Sequence, residues 1–262
     1  MEYSIILLGH FEGSQVMKEK IQAKLQELIE EYCQETGIQN LWREPIIKYG
    51  DVKNPHFDEL KEVVDPNHYH PLDYLTSATV VLSYFLPFSK SVMESNISGE
   101  LISEPWALAY EHSNKMASYI NEQLCKYINE LGYDACPPRD AGMINDGYPR
   151  SRWSQRHVAY VCGHGTFGLN NMLISDKGCV GRYYSIITAL PIEPDDVVTE
   201  ERCIYKRNGG CKLCVDRCVA NALTVDGFER LKCLDQCNVN EEIYPAAGAC
   251  GKCVVGLPCS FK

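Results

Sequence analysis

Two rhythms of apolar residues run along the chain. From Gln15 to Cys33 the residues Val16, Ile21, Leu25, Leu28, Ile29 and Tyr32 recur at helical spacing, and Gly37 supplies an end signal. The same rhythm returns after Ser103, an N-cap candidate followed by Pro105, a residue suited to a first turn. Trp106, Leu108, Ala109, Met116, Ile120, Leu124, Tyr127, Ile128 and Leu131 then predict a long helix ending at Gly132. Shorter apolar runs read as strands: Ser4–Leu8 before Gly9, and Thr79–Leu86, β-branched and aromatic, before Pro87. Residues 136–152 read as a loop and 155–162 as a short helix. Asn171–Ile174 and Cys179–Leu190 read as two strands of a hairpin joined by Ser175-Asp176-Lys177-Gly178. The pattern over 1–194 is mixed α/β, of the α+β kind.

Composition narrows the class. With 262 residues, 45% hydrophobic and 23% charged, the chain can bury a sizeable core and is neither disordered nor fibrous. Its net charge of -10 sets up a field that opposes nucleic-acid phosphates and anionic membrane. Met1-Glu2-Tyr3-Ser4 lacks the basic start of a signal peptide, and Ala78–Phe88 is too short to span a bilayer. These features predict a soluble, cytoplasmic protein with no membrane partner.

Fourteen cysteines in a reducing compartment call for a chemical reason other than disulfides. Nine crowd into the final stretch, which sets a boundary near residue 195 and a second unit over 195–262. They read Cys203-x7-Cys211-x2-Cys214-x3-Cys218, Cys233-x3-Cys237 and Cys250-x2-Cys253-x5-Cys259. Closely spaced thiolates followed by one that crosses over are the mark of two-cluster ferredoxins. By that logic Cys203, Cys211, Cys214 and Cys259 bind one [4Fe-4S] cluster, and Cys218, Cys233, Cys250 and Cys253 bind another. Cys237 is spare, and spacing does not choose between it and Cys233. Cys-x2-Cys pairs also make zinc sites, but a third cysteine four residues after such a pair favours iron–sulfur.

Other motifs carry less. Gly163-His164-Gly165-Thr166-Phe167-Gly168 has the form Gly-x-Gly-x-x-Gly, yet it follows a helix and leads into strands, the wrong context for a dinucleotide fold. It reads as a turn whose backbone comes close either to a packing strand or to a cofactor. Asp65-Pro66-Asn67-His68-Tyr69-His70-Pro71 reads as an exposed loop before a metal site, and Cys33, Cys125, Cys136, Cys162 and Cys179 read as small buried hydrophobes.

Taken together, three stretches resemble the epoxyqueuosine reductase family and, more distantly, reductive dehalogenases. They are Asp73–Tyr84, the Gly163–Asn170 turn running on to Leu190, and the cysteine-rich segment Cys203–Cys259. The resemblance implies a nitroreductase-like, cobalamin-binding type of domain followed by a small ferredoxin-like domain with two [4Fe-4S] clusters. It implies that Gly163, Gly165, Gly168 and Asn170 lie beside a corrinoid, and that reduced ferredoxin or flavodoxin supplies electrons. Tyr110, Asp140, Asp146 and His164 are the candidate proton donors. Leu169 stands where the family has a lysine, no aspartate lies within Tyr148–Arg152, and no helical-repeat region follows the cysteines. The absent repeat region and the acidic net charge predict a small-molecule substrate and argue against tRNA, while the missing lysine and aspartate favour the alternative, a non-catalytic ferredoxin-type electron-transfer protein that has lost the cobalamin site.

Overall fold

The computed structural model describes residues 2–139, 144–145 and 148–262. In chain order it contains α1 (Glu2–Thr36), β1 (Ile46–Asp51), α2 (His56–Val63), α3 (Pro71–Tyr74), β2 (Val80–Pro87), α4 (Lys90–Ser95), α5 (Glu104–Glu130) and β3 (Ala135–Cys136). There follow β4 (Ile144–Asn145), β5 (Pro149–Arg150), α6 (Gln155–Val161), β6 (Thr166–Phe167), β7 (Leu173–Ile174), β8 (Gly181–Thr188), α7 (Ile204–Asn208), α8 (Leu213–Asp216) and α9 (Arg230–Ile243).

A four-stranded sheet in the order β1-β2-β8-β3, antiparallel throughout, is the middle layer. Strand β2 is buried along its whole length, which is why its sequence runs apolar without interruption. Alternation along it still decides which layer each residue meets. Val80, Leu82, Tyr84 and Leu86 join Ile21, Leu25 and Leu28 of α1 and Met116, Ile120 and Leu124 of α5 on one side. Val81 faces the opposite side, where Phe57 of α2, Trp153 and Val158 and Val161 of α6 form a second core. The result is a mixed α/β arrangement of helices, antiparallel sheet and helices. Among the described residues, no helix is long and apolar enough to cross a membrane.

Both long helices fall where the periodicity predicts them, and Ser103 caps α5 by accepting from the Trp106 amide at 3.3 Å. Two expectations fail. Ser4–Leu8 is helical, continuous with α1, because a short apolar run carries no period that separates a strand from a buried helical turn. The turn Ser175–Gly178 forms, with Ser175 and Gly178 exchanging backbone bonds at 3.0 and 3.1 Å, but its flanks do not pair with each other. Instead β7 pairs with β6, while β8 crosses into the main sheet beside β2. Strand β1 was not anticipated, since Lys48, Gly50 and Asp51 break its apolar alternation at the sheet edge.

Residues 195–262 lean on the rest of the chain. Ile174, Cys179 and Val180 pack in one cluster with Cys203, Ala247, Val254 and Val255. At the far end Arg43 lies 3.7 Å from the Phe261 ring centroid and donates to the Lys262 carbonyl at 3.1 Å.

Trp153 is the largest fully buried side chain; it donates from Nε1 to Ser185 Oγ at 2.9 Å and stacks on His68. Trp153→Ala should therefore cost about 3–5 kcal/mol of folding free energy, read as a lowered urea midpoint with an unchanged slope.

Candidate cysteine site and its surroundings

The segment that leaves the sheet after Leu190 is threaded over the glycine turn. Asp195 anchors it: one carboxylate oxygen accepts from Lys48 Nζ at 3.1 Å and the other from the Tyr49 amide at 2.9 Å. Arg202 then donates to the carbonyls of His164 and Ile174 at 3.2 and 3.1 Å and pairs with Asp176 at 2.8 Å. The glycines of the turn answer to this crossing. Gly163 adopts φ +85° and a side chain there would strike the Asp196 carbonyl; one at Gly165 would strike the Ile174 carbonyl and crowd Arg202. Their requirement for glycine is thus met by the chain's own backbone.

The turn delivers Gly168, Leu169 and Asn170 to a small cleft of about 20 Å³ whose other walls include Cys203, Cys211, Cys214, Leu257 and Cys259. These are the four cysteines of the first expected set, gathered from three separate stretches. They surround a space: among the described residues no three His, Cys, Asp or Glu side chains converge closely enough to hold one metal ion. Cys179, read from the sequence as a plain buried hydrophobe, lies directly behind this set. Its amide donates to the Cys259 carbonyl at 3.0 Å and its thiol is in hydrogen-bonding reach of the Cys259 thiol.

In the second set, Cys250 and Cys253 are electrostatic neighbours of Cys233 and Cys218. Cys233 and Cys237, one turn apart on α9, share a hydrogen bond, so geometry still leaves both within reach of the same place. Asn170 joins the two sets, since it lines the first cleft while its Nδ2 donates to the Cys253 carbonyl at 2.9 Å.

Near the second set lies a group of arginines that the sequence does not announce. Arg156 is solvent-exposed. It donates to the Asn171 carbonyl at 2.9 Å. Burial, then Arg182 and Arg230, hold its guanidinium below the usual range, with the Cys253 and Cys233 thiols pulling the other way. Arg182 stacks 4.2 Å from the Tyr110 ring centroid and bonds Asn114 Oδ1 at 3.1 Å; Arg230 donates to the Pro149 carbonyl at 2.7 Å. None of these three arginines pairs with a carboxylate among the described residues.

The candidate proton donors separate. Tyr110 lies under Arg182, within the arginine group. His164 is fully buried, bonds the Ser83 carbonyl through Nε2 at 3.1 Å and meets Tyr183 edge-on, and burial holds its pKa down at about 4. It is a neutral core histidine. Asp140 and Asp146 lie outside the described residues. The Asp65–Pro71 loop is occupied with its own structure: Asp65 pairs with Arg150 at 3.1 Å, and His68 is bonded on both ring nitrogens, to the Tyr69 carbonyl at 2.8 Å and from the Ser154 amide at 3.0 Å.

Fold and site together define a class, a layered α/β unit to which a cysteine-rich unit is stitched over a glycine turn. No family model and no curated sequence matches the chain. Solved structures do, and the fold is that of the epoxyqueuosine reductases. The enzyme from Streptococcus thermophilus superposes with a TM-score of 0.57 at 17% identity, covering 93% of this chain and 66% of that one. An epoxyqueuosine reductase with an epoxyqueuosine-modified tRNA-Tyr stem loop superposes at 0.53 and 15% identity, covering 90% and 64%. The chain thus spans just under two thirds of the length of these structures. The second comparison overturns the expectation of a small-molecule substrate with tRNA excluded, because a protein of this fold holds a tRNA stem loop. The error has a physical cause: a net charge of -10 says nothing of where individual arginines gather.

His164 and His157 share a low pKa of about 4, the latter lowered by burial and by Arg156, His68 and Arg230. Unfolded, each would take up a proton near 6.5, so their contribution to stability is complete above that pH and is lost as pH falls toward 4. Urea midpoints should therefore drop between pH 7 and 5. His164→Gln should remove about 2 kcal/mol of that drop, with His157 supplying a further share; a profile unchanged by the substitution would contradict a neutral buried His164.

Proposed function

We propose that the chain is a cytoplasmic iron–sulfur reductase in which 195–262 act as a ferredoxin-like unit with two [4Fe-4S] clusters, feeding electrons to a nitroreductase-like layer over 1–194. The observation that carries this reading is the gathering of Cys203, Cys211, Cys214 and Cys259 around one cleft. Four thiolates that surround a space suit a cluster with iron at its corners better than a single tetrahedral zinc, which needs sulfur at about 2.3 Å. Helix α9 supports the same reading: of its fourteen residues Asn240 alone is buried, and a metal centre held by one of Cys233 and Cys237 would anchor it.

Electrons supplied by a reduced ferredoxin or flavodoxin would pass along the two cysteine sets and reduce a substrate held by the arginines near Cys233 and Cys253. A corrinoid is the acceptor that the family resemblance implies, and its cobalt would supply a strong reductant. At Gly163 and Gly165, however, the turn expected to cradle it is covered by the chain's own backbone, so the proposed path ends on the substrate itself, at the arginine group. There Tyr110 is the described candidate for proton transfer. Arg156, Arg182 and Arg230 would bind an anion, and the substrate proposed is a modified nucleoside within an RNA whose phosphodiesters they hold.

Two measurements test this. Anaerobic purification should give about eight irons and eight sulfides per chain, falling by about half in Cys214→Ser and in Cys253→Ser; zinc without iron would end the electron-transfer reading. Binding of an anticodon stem-loop RNA, followed by fluorescence anisotropy, should weaken about tenfold in Arg156→Ala and in Arg230→Ala, each lowering the salt slope by about 1. An RNA affinity indifferent to both substitutions would remove these arginines from the substrate site.

A further inference from the structure

Lys252 sits between Cys250 and Cys253 and is 2% exposed, among the largest fully buried side chains of the protein. A lysine is almost never buried without a carboxylate. This one has none among the described residues; its Nζ donates to the carbonyls of Asn96 and Ser98 at 3.0 and 2.8 Å. Both acceptors belong to the loop between α4 and α5, on the other unit.

That loop holds the cysteine segment at several further points. Asn96, fully buried, donates from Nδ2 to the Cys250 carbonyl at 3.0 Å and accepts the Ser103 amide on Oδ1 at 3.1 Å. Asn240 of α9, also fully buried, accepts the Ile102 amide at 3.2 Å and donates to the Ala249 carbonyl at 2.8 Å. Arg217 donates to the Lys252 carbonyl at 3.3 Å and to the Ile97 carbonyl at 2.6 Å. Gly251, at φ +73°, lies flat against the Trp106 indole, where any side chain would clash.

So much buried hydrogen bonding around one uncompensated ammonium is costly unless a negative charge is placed beside it. The thiolates of Cys250 and Cys253 flank it in sequence, and a cluster ligated by four thiolates is an anion. We propose that Lys252 is a positioning residue: a built-in counter-charge, fixed by the α4–α5 loop, that favours the reduced state of the cluster held by the second cysteine set. This rests on the iron–sulfur reading given above. A fixed cation raises a reduction potential because the reduced cluster carries one more negative charge, and in a dry site little screens it.

The experiment is a redox titration of the reconstituted full chain, followed by electron paramagnetic resonance, on the wild type, Lys252→Met, Lys252→Gln and Lys252→Arg. Both neutral variants should shift one of two midpoints to more negative values by tens of millivolts, a tenfold change in the reduction equilibrium being about 59 mV, while Lys252→Arg stays near the wild type. If the neutral variants instead lose half the iron and Lys252→Arg keeps it, the counter-charge is confirmed as a condition of assembly. Iron-loaded neutral variants with both midpoints unmoved, or a shift equally large in Lys252→Arg, would overturn the proposal and leave the cluster reading intact. A wild type that binds no iron would overturn both. Hydrogen exchange on the metal-free chain checks the fixing separately: amides 249–254 and 96–103 should exchange faster together in Lys252→Met, and protection unaltered in either segment would refute a shared anchor.

Discussion

The cysteine-rich unit cannot hold its own shape by apolar burial, and the rest of the architecture answers to that constraint. Its fully or nearly buried apolar side chains are few and mostly small: Ala222, Leu223, Ala247, Val254, Val255 and Leu257. Domains of this size with so little core need a metal, cross-links or a neighbour. Here the neighbour is the α/β unit. It lends Trp106, Ile102 and Val180 to a shared cluster, and it offers backbone carbonyls from the α4–α5 loop. The extended segment around Asp195 and Arg202 keeps the two in register by bonding to β1 on one side and to the glycine turn on the other.

What could be read from the sequence follows from how local each signal is. Helix α5 carries its cap, its first-turn proline and ten buried positions within one continuous stretch, and β2 is apolar because both its faces are covered. The cysteine spacing is legible because it is a matter of intervals along the chain, and the structure brings Cys259 to one cleft with Cys203, Cys211 and Cys214. The partner of β7 was not legible, because the turn at Ser175–Gly178 is equally compatible with strands that separate after it. Nor were Arg156, Arg182 and Arg230, which lie on α6, β8 and α9 and share no interval that a pattern could display. Cys179 is the small buried side chain its sequence context predicts, 1% exposed, but its place against Cys259 was not legible, because nothing local marks which core thiol meets another.

Charge in this protein has to be judged by depth. Acidic residues dominate the whole-chain count, yet Arg156, Arg182 and Arg230 gather near the second cysteine set, and a lysine is buried beside Cys250 and Cys253. At surface distances beyond about 8–10 Å salt screens the acidic excess, so a local group of guanidinium side chains is compatible with an acidic whole-chain charge.

Asn170 carries a different implication. One amide group lines the first cysteine cleft and at the same time holds the Cys253 carbonyl of the second. The spacing between the two sets is thereby written into the polypeptide itself. On the proposed reading, in which each set holds a cluster, the distance an electron would cross between them is inherited from the fold.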